Sequence, residues 1–120
     1  MNAQDLRLRN WVLSLGKDGV WYPSIVSKIT TDEIVVGVGF VRELKPIVLT
    51  DKILADLGGH ILPFIKGIIF DRFRFIWRED YKYWYVIDNH EETYITKIEF
   101  VHELQNFSKF INGKELEVKL

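Results

Sequence analysis

The side chains able to do chemistry in this chain are few and scattered. Its three histidines sit apart: His60 after a glycine pair, His90 in a turn and His102 in a helical stretch. Their distance in sequence does not forbid convergence on a metal, but no paired-Cys, His-Glu-x-x-His or calcium-loop pattern occurs. No metal and no cofactor is therefore assigned, and the histidines read as surface or boundary residues. The chain has no cysteine, which excludes thiolate catalysis and disulfides. Ser14, Ser24, Ser27 and Ser108 lack the tight turn that exposes a serine nucleophile. The carboxylate pairs Asp32-Glu33, Glu79-Asp80 and Glu91-Glu92 fall at turns, where adjacent residues do not flank one scissile bond. They read as solvated loop charge. Neither a phosphate-cradling glycine loop followed by Lys-Ser or Lys-Thr nor a dinucleotide fingerprint is present. No catalytic residue is assigned, and an enzyme is the less favoured class.

Two groups of residues could form a binding surface. His102, Gln105, Asn106 and Lys109 are three or four apart and share one side of a helix. Their imidazole, amide and ammonium groups could hydrogen-bond a phosphate, a base or a partner backbone. The competing reading is structural: Gln105 and Asn106 bond adjacent strands or loops, while His102 covers the edge of the core. The second group is Arg72, Arg74, Lys82 and Trp84, cations interleaved with aromatics in a β-hairpin. Such a surface can stack bases and pair phosphates, or anchor a protein interface. The competing reading is a sheet covered on both faces, one of them by the second helix. Which face of the 72–86 hairpin is buried is left open by the pattern.

The elements that must position these residues follow from periodicity. Leu6 and Leu8 alternate with Arg7 and Arg9, a half-buried strand pattern that Asn10 interrupts before Trp11, Val12 and Leu13, and Ser14 to Gly19 is a turn. Val20–Thr30 is a second strand, with Pro23 implying an edge position or a bulge. Ile34–Val41 is a third, with Gly37 and Gly39 on one face. That bare face implies close packing or strand bending; the competing reading is a surface reserved for a ligand or partner backbone. After Pro46 and a short extended stretch, Thr50 caps a two-turn helix over 50–58, with Ile53, Leu54 and Leu57 inward and Gly58-Gly59 as its stop. Phe73, Phe75 and Trp77, then Tyr81, Tyr83 and Tyr85, form an aromatic hairpin around Arg78-Glu79-Asp80. Thr93–Ile98 is a further strand. The period then changes: Phe100, Leu104, Phe107 and Ile111 mark one face of a helix over 99–111, stopped by Asn112-Gly113. Leu116, Val118 and Leu120 alternate with Glu115, Glu117 and Lys119, a pattern that predicts a last strand rejoining the sheet.

With 120 residues and no linker, the chain reads as a single domain over 1–120. The fold class is α+β: a curved antiparallel sheet with an SH3-like or barrel-like N-terminal half, one short and one longer helix. Sixteen Lys and Arg against seventeen Asp and Glu leave a formal charge of -1, which argues against a non-specific DNA coat. Met1 to Arg9 holds no basic segment followed by an apolar run, and no apolar stretch of about 18 residues exists. The expected location is cytoplasmic, with no membrane partner.

Three stretches carry a resemblance: Leu6-Arg7-Leu8-Arg9-Asn10, Pro46-Ile47-Val48-Leu49-Thr50, and Phe100-Val101-His102-Glu103-Leu104-Gln105-Asn106-Phe107 with Asn112-Gly113-Lys114-Glu115-Leu116-Glu117-Val118. Together they resemble a family of small uncharacterised proteins encoded by phages, prophages and mobile elements of Bacteroidetes. The resemblance brings no catalytic residue with it. It implies an accessory role: a virion component, a host-interaction protein or an inhibitor of a host defence. The leading expectation is therefore a non-enzymatic protein–protein interaction, with self-association as a homo-oligomer. One alternative is sequestration of a small ligand or nucleotide, in a pocket near the glycine strand or beside His102. The other is a nucleic-acid-binding accessory protein using a basic stripe through Arg72, Arg74 and Lys82. Nucleic acid is the least favoured, because Glu79, Asp80, Asp88, Glu91 and Glu92 in nearby turns would repel phosphates.

Overall fold

A computed structural model of the protein describes residues 6–29, 34–36, 39–40, 43–62 and 67–120. The fold is mixed α+β, with antiparallel sheets, one short helix and one longer one. Two compact units are present: Met1–Val48 with Phe100–Leu120, and Leu49–Glu99.

In the first unit, strands β1 (Trp11–Leu15), β2 (Trp21–Ile29), β3 (Ile34–Val36), β4 (Gly39–Phe40) and β5 (Leu44–Lys45) form one sheet in the order β4-β3-β2-β1-β5. Pairing of Val12 with Ser24 and of Ser14 with both Tyr22 and Leu44 puts these residues on one face. Val12 and Val26 are fully buried there with Leu6, and Ile29 and Leu44 pack around them. Pro23 lies on the part of β2 that pairs with β1 alone, since β3 joins only from Val26 onward. A missing N–H costs nothing at such an edge. The register shift in β2 falls later, between Val26 and Lys28. Gly39 pairs with Val36, and Gly37 lies outside the described residues. Helix α2 (Val101–Asn112) buries Val101 and Leu104 completely. Glu103 reaches back to the Phe100 N–H at 3.0 Å, and Gly113 closes the helix in the left-handed conformation with φ 71°.

Three expectations for this unit are corrected. The stretch 34–41 is not one strand: β3 and β4 pair antiparallel, with Val36 opposite Gly39 and Val35 opposite Phe40. Residues 6–10 are a turn, not a strand. Arg7 N–H donates to Asn10 Oδ1 at 2.6 Å, Asn10 N–H returns to the Arg7 carbonyl at 3.1 Å, and Arg9 takes φ 71°. The buried Asn10 side chain thus competes with the ladder for the backbone. Leu6 goes inward while Leu8 stays 49% exposed. Residues 115–120 likewise form no strand. This segment is held by side chains: Trp11 Nε1 donates to the Val118 carbonyl at 2.8 Å, and Arg7 pairs with Glu115.

In the second unit, helix α1 (Asp51–Asp56) precedes β6 (His60–Ile61), β7 (Gly67–Phe70), β8 (Phe73–Arg78), β9 (Tyr83–Asp88) and β10 (Tyr94–Ile98), ordered β10-β9-β8-β7-β6. Thr50 Oγ1 caps α1 by accepting the Ile53 N–H at 3.2 Å. Gly59 must be glycine for a packing reason: a Cβ there would lie 2.5 Å from Ile68 and 2.8 Å from the Leu54 carbonyl oxygen. The unit's ends meet, with Leu49 N–H donating to the Glu99 carbonyl at 3.0 Å. Within the first unit the flanking residues meet as well, through a Val48–Phe100 bridge and a bond from Val101 N–H to the Ile47 carbonyl at 2.8 Å.

Register decides the faces of the second sheet. Ile68, Phe75 and Val86 lie in one row, and Phe73 with Asp88 and Trp84 with Ile98 lie on the same side. All are buried, with Leu49 and Leu54. Trp84 is 2% exposed, and its Nε1 donates to the Leu49 carbonyl at 2.9 Å. The opposite face carries His60, Ile69, Arg74, Ile87 and Tyr94 in one row, Gly67, Ile76, Tyr85 and Lys97 in the next, then Arg78 and Tyr83.

Candidate binding surfaces

The helical cluster is a structural joint. Gln105, 2% exposed, accepts the Trp11 N–H at 2.8 Å and donates to the Arg9 carbonyl at 3.0 Å. On that edge of β1, β5 pairs only with Leu13 and Ser14, so the Gln105 amide completes the ladder where no strand reaches. Asn106 Oδ1 accepts from Asn10 Nδ2 at 2.9 Å and Arg7 Nε at 3.0 Å. Arg7 also pairs with Glu115 and holds its carboxyl below the usual carboxylate range. Lys109 Nζ donates to the Gly113 carbonyl at 3.0 Å, serving the helix end. His102 is 4% exposed and stacks on Phe100 with ring centroids 5.8 Å apart. The amides meant for a ligand are thus spent on the protein's own backbone and side chains.

An open cleft of about 200 Å³ lies beside this joint, lined by Arg9, Trp11, Ile25, Gln105 and residues 115–119. Its Gln105 and Glu115 groups are the ones already engaged internally. Among the described residues no cluster of three or more His, Cys, Asp or Glu could hold a metal. No helix among the described residues is long and apolar enough to cross a membrane.

The hairpin candidates separate. Trp84 faces the core and is removed from any surface, because β9 parity puts it beside Ile98 and opposite Trp77. Arg72 sits in the β7–β8 turn, 3.4 Å from Asp88, whose carboxylate lies on the buried side. The Glu91 and His90 backbone N–H groups hold the Asp88 carboxyl below its ordinary value, with Arg72 adding to the effect. Lys82 is in the β8–β9 turn, bound to Glu79 at 2.5 Å. Only Arg74 stands on the outward face.

That outward face holds residues the interleaving rule did not select. Tyr81 and Tyr83 stack with centroids 5.6 Å apart and 10° between planes. Tyr83 and Tyr85 continue at 6.3 Å, and Tyr85 meets Tyr94 of the next strand at 4.5 Å. Arg78 lies over the Tyr85 ring at 5.7 Å and Lys97 over Tyr83 at 5.3 Å. Tyr81 is 64% exposed and Tyr94 52%. Arg74, Arg78 and Lys97 enter no salt bridge among the described residues, and Arg74 Nε is shielded from solvent without a hydrogen-bond partner. None of the strand residues on this face is acidic. Glu79, in the adjoining turn, is occupied by Lys82 and by Trp77 Nε1 at 2.5 Å. The available signal was the shared parity of Tyr83 and Tyr85, but Trp84 and Val86 are equally apolar, so parity alone did not choose the outer face.

No family model, curated protein or solved structure matches this chain.

Proposed function

We propose that the protein is a non-enzymatic binding module whose capture surface is the outward face of the second sheet, and that its partner is elongated and anionic. The observation carrying this reading is the run of ring contacts from Tyr81 through Tyr83 and Tyr85, which are stacked, to Tyr94, which is tilted against Tyr85, flanked by Arg74, Arg78 and Lys97 with no strand carboxylate among them. Tyrosine offers large contact area at small entropic cost and is a frequent interface anchor. Cations with no carboxylate partner among the described residues are matched by an anion that supplies one. The tyrosines run along β9 and onto β10, so an extended chain can contact them in series, whereas small-molecule sites are concave pockets. A binding role also fits the accessory functions implied by the resemblance to mobile-element proteins.

The test is an amide NMR titration of the full chain at low salt with three probes: polyglutamate, oligothymidylate and an abasic phosphodiester chain. Shifts concentrated in residues 73–78, 83–88 and 94–98 with any probe support the reading. Shifts confined to other residues, or none with any probe, overturn it.

A further inference from the structure

We infer that the partner of the tyrosine face is single-stranded nucleic acid; this rests on the reading of that face as the capture surface. The argument is a match of repeats. A single strand alternates a planar ring with one negative charge per nucleotide. Each row across the face holds one ring and one cation: Arg78 opposite Tyr83, Lys97 opposite Tyr85, and Arg74 in the row of Tyr94 with Ile87 between them. An acidic peptide supplies charge without rings. A duplex supplies charge but keeps its bases stacked inside, away from the tyrosines. Base–aromatic stacking on an open sheet is tolerant of sequence because every base has a π-face. The turn carboxylates that argued against nucleic acid are partly withdrawn: Glu79 is tied to Lys82, and Asp88 points to the buried side. The chain's overall charge of -1 is thus no guide to this face, whose three strand charges are all positive.

The chemistry sets the size of the effects. With three cations meeting phosphates, the salt slope for a single strand is about −2, from roughly −0.7 per neutralised phosphate. Each ring that stacks a base contributes about fivefold or more in affinity.

The experiment measures fluorescence anisotropy of the full chain with labelled oligothymidylate, its abasic counterpart, the matching duplex and labelled polyglutamate. Oligothymidylate is expected to bind about tenfold or more tighter than each of the others. Tyr94→Ala and Tyr81→Ala, both at exposed positions, each weaken it about fivefold or more, and Tyr94→Phe restores most of the loss. Circular dichroism of each variant establishes that it folds. Equal binding of the abasic chain or the duplex overturns the inference while leaving an anion-binding face intact. Preference for polyglutamate overturns it in favour of an acidic protein partner. Binding to none of the four removes both this inference and the reading beneath it.

Discussion

Replacing Gln105 with methionine isolates what one buried amide does for the first unit. The two side chains are similar in length, so little cavity forms, and the change is the loss of one acceptor and one donor. The Trp11 N–H, now 2.8 Å from Oε1, and the Arg9 carbonyl, 3.0 Å from Nε2, lose these partners. Each buried orphan costs about 1–3 kcal/mol, and the relief of burying an apolar side chain in place of an amide offsets part of the sum. The expected loss is about 2–4 kcal/mol on that scale. Equilibrium urea unfolding, followed by far-UV circular dichroism, reads this as a midpoint lowered by about 1–2 M at a slope near 2 kcal/mol/M. Amide hydrogen exchange supplies a local check, with the Trp11 N–H losing protection more than its β1 neighbours. A stability loss below about 1 kcal/mol with unchanged Trp11 exchange would refute the claim that Gln105 completes the ladder.

Two other perturbations follow from described contacts. Thr50→Ala removes the Oγ1 acceptor for Ile53 N–H and is expected to cost about 1 kcal/mol, read as a lower thermal midpoint; an unchanged midpoint shows the cap to be idle. Acid sensitivity comes in part from Asp88 and Glu115, both held below their ordinary values of 3.8 and 4.5, with Asp18 also lowered by its hydrogen bond from Tyr22. A depressed folded pKa means stabilisation that is fully present above the unfolded value and is lost as pH falls through the folded one. Unfolding free energy should therefore decline with acidification below about pH 4.5, and Asp88→Asn with Glu115→Gln should flatten that decline. A double variant that keeps the wild-type pH profile would remove these groups as the cause.

Local signals were read from the sequence with success where one short-range rule dominated. The change from alternation to a four-three-four apolar spacing located α2 within two residues, and Thr50 was recognised as a cap because its hydroxyl needs only the turn that follows it. The hairpin strands at Phe73–Arg78 and Tyr83–Asp88 were legible for the same reason. The failures involve partners far along the chain. Leu6 and Leu8 alternate like strand residues, yet Asn10 and Asn106 settle that segment as a turn. Glu115–Leu120 alternates too, but its anchors are Arg7 and the Trp11 indole. The candidate cluster on α2 was correct in its polar composition and in sharing a side of the helix. The competing structural reading, with Gln105 and Asn106 bonding adjacent strands or loops, is the one its hydrogen bonds bear out; the particular partners lie 94 to 96 positions away, where no spacing rule reaches. On the hairpin, both parities of β9 are aromatic or aliphatic, so only pairing with Ile98 and Phe75 shows that Trp84 and Val86 are inside.

The meeting of Leu49 with Glu99 has a kinetic consequence. The bonds that finish the first unit join residues 94 to 108 positions apart, from Trp11 with Gln105 to Arg7 with Glu115. Closing so long a loop from an open chain costs about 4 kcal/mol in entropy, apart from a constant term. Once residues 49–99 have folded and drawn their own ends together, that loop is replaced by a short connection. The C-terminal helix then needs to search only a small volume to find the N-terminal strands. During synthesis the middle of the chain emerges before α2, so the order of translation favours this route. A middle segment that folds first therefore shortens the closure left to the segments around it.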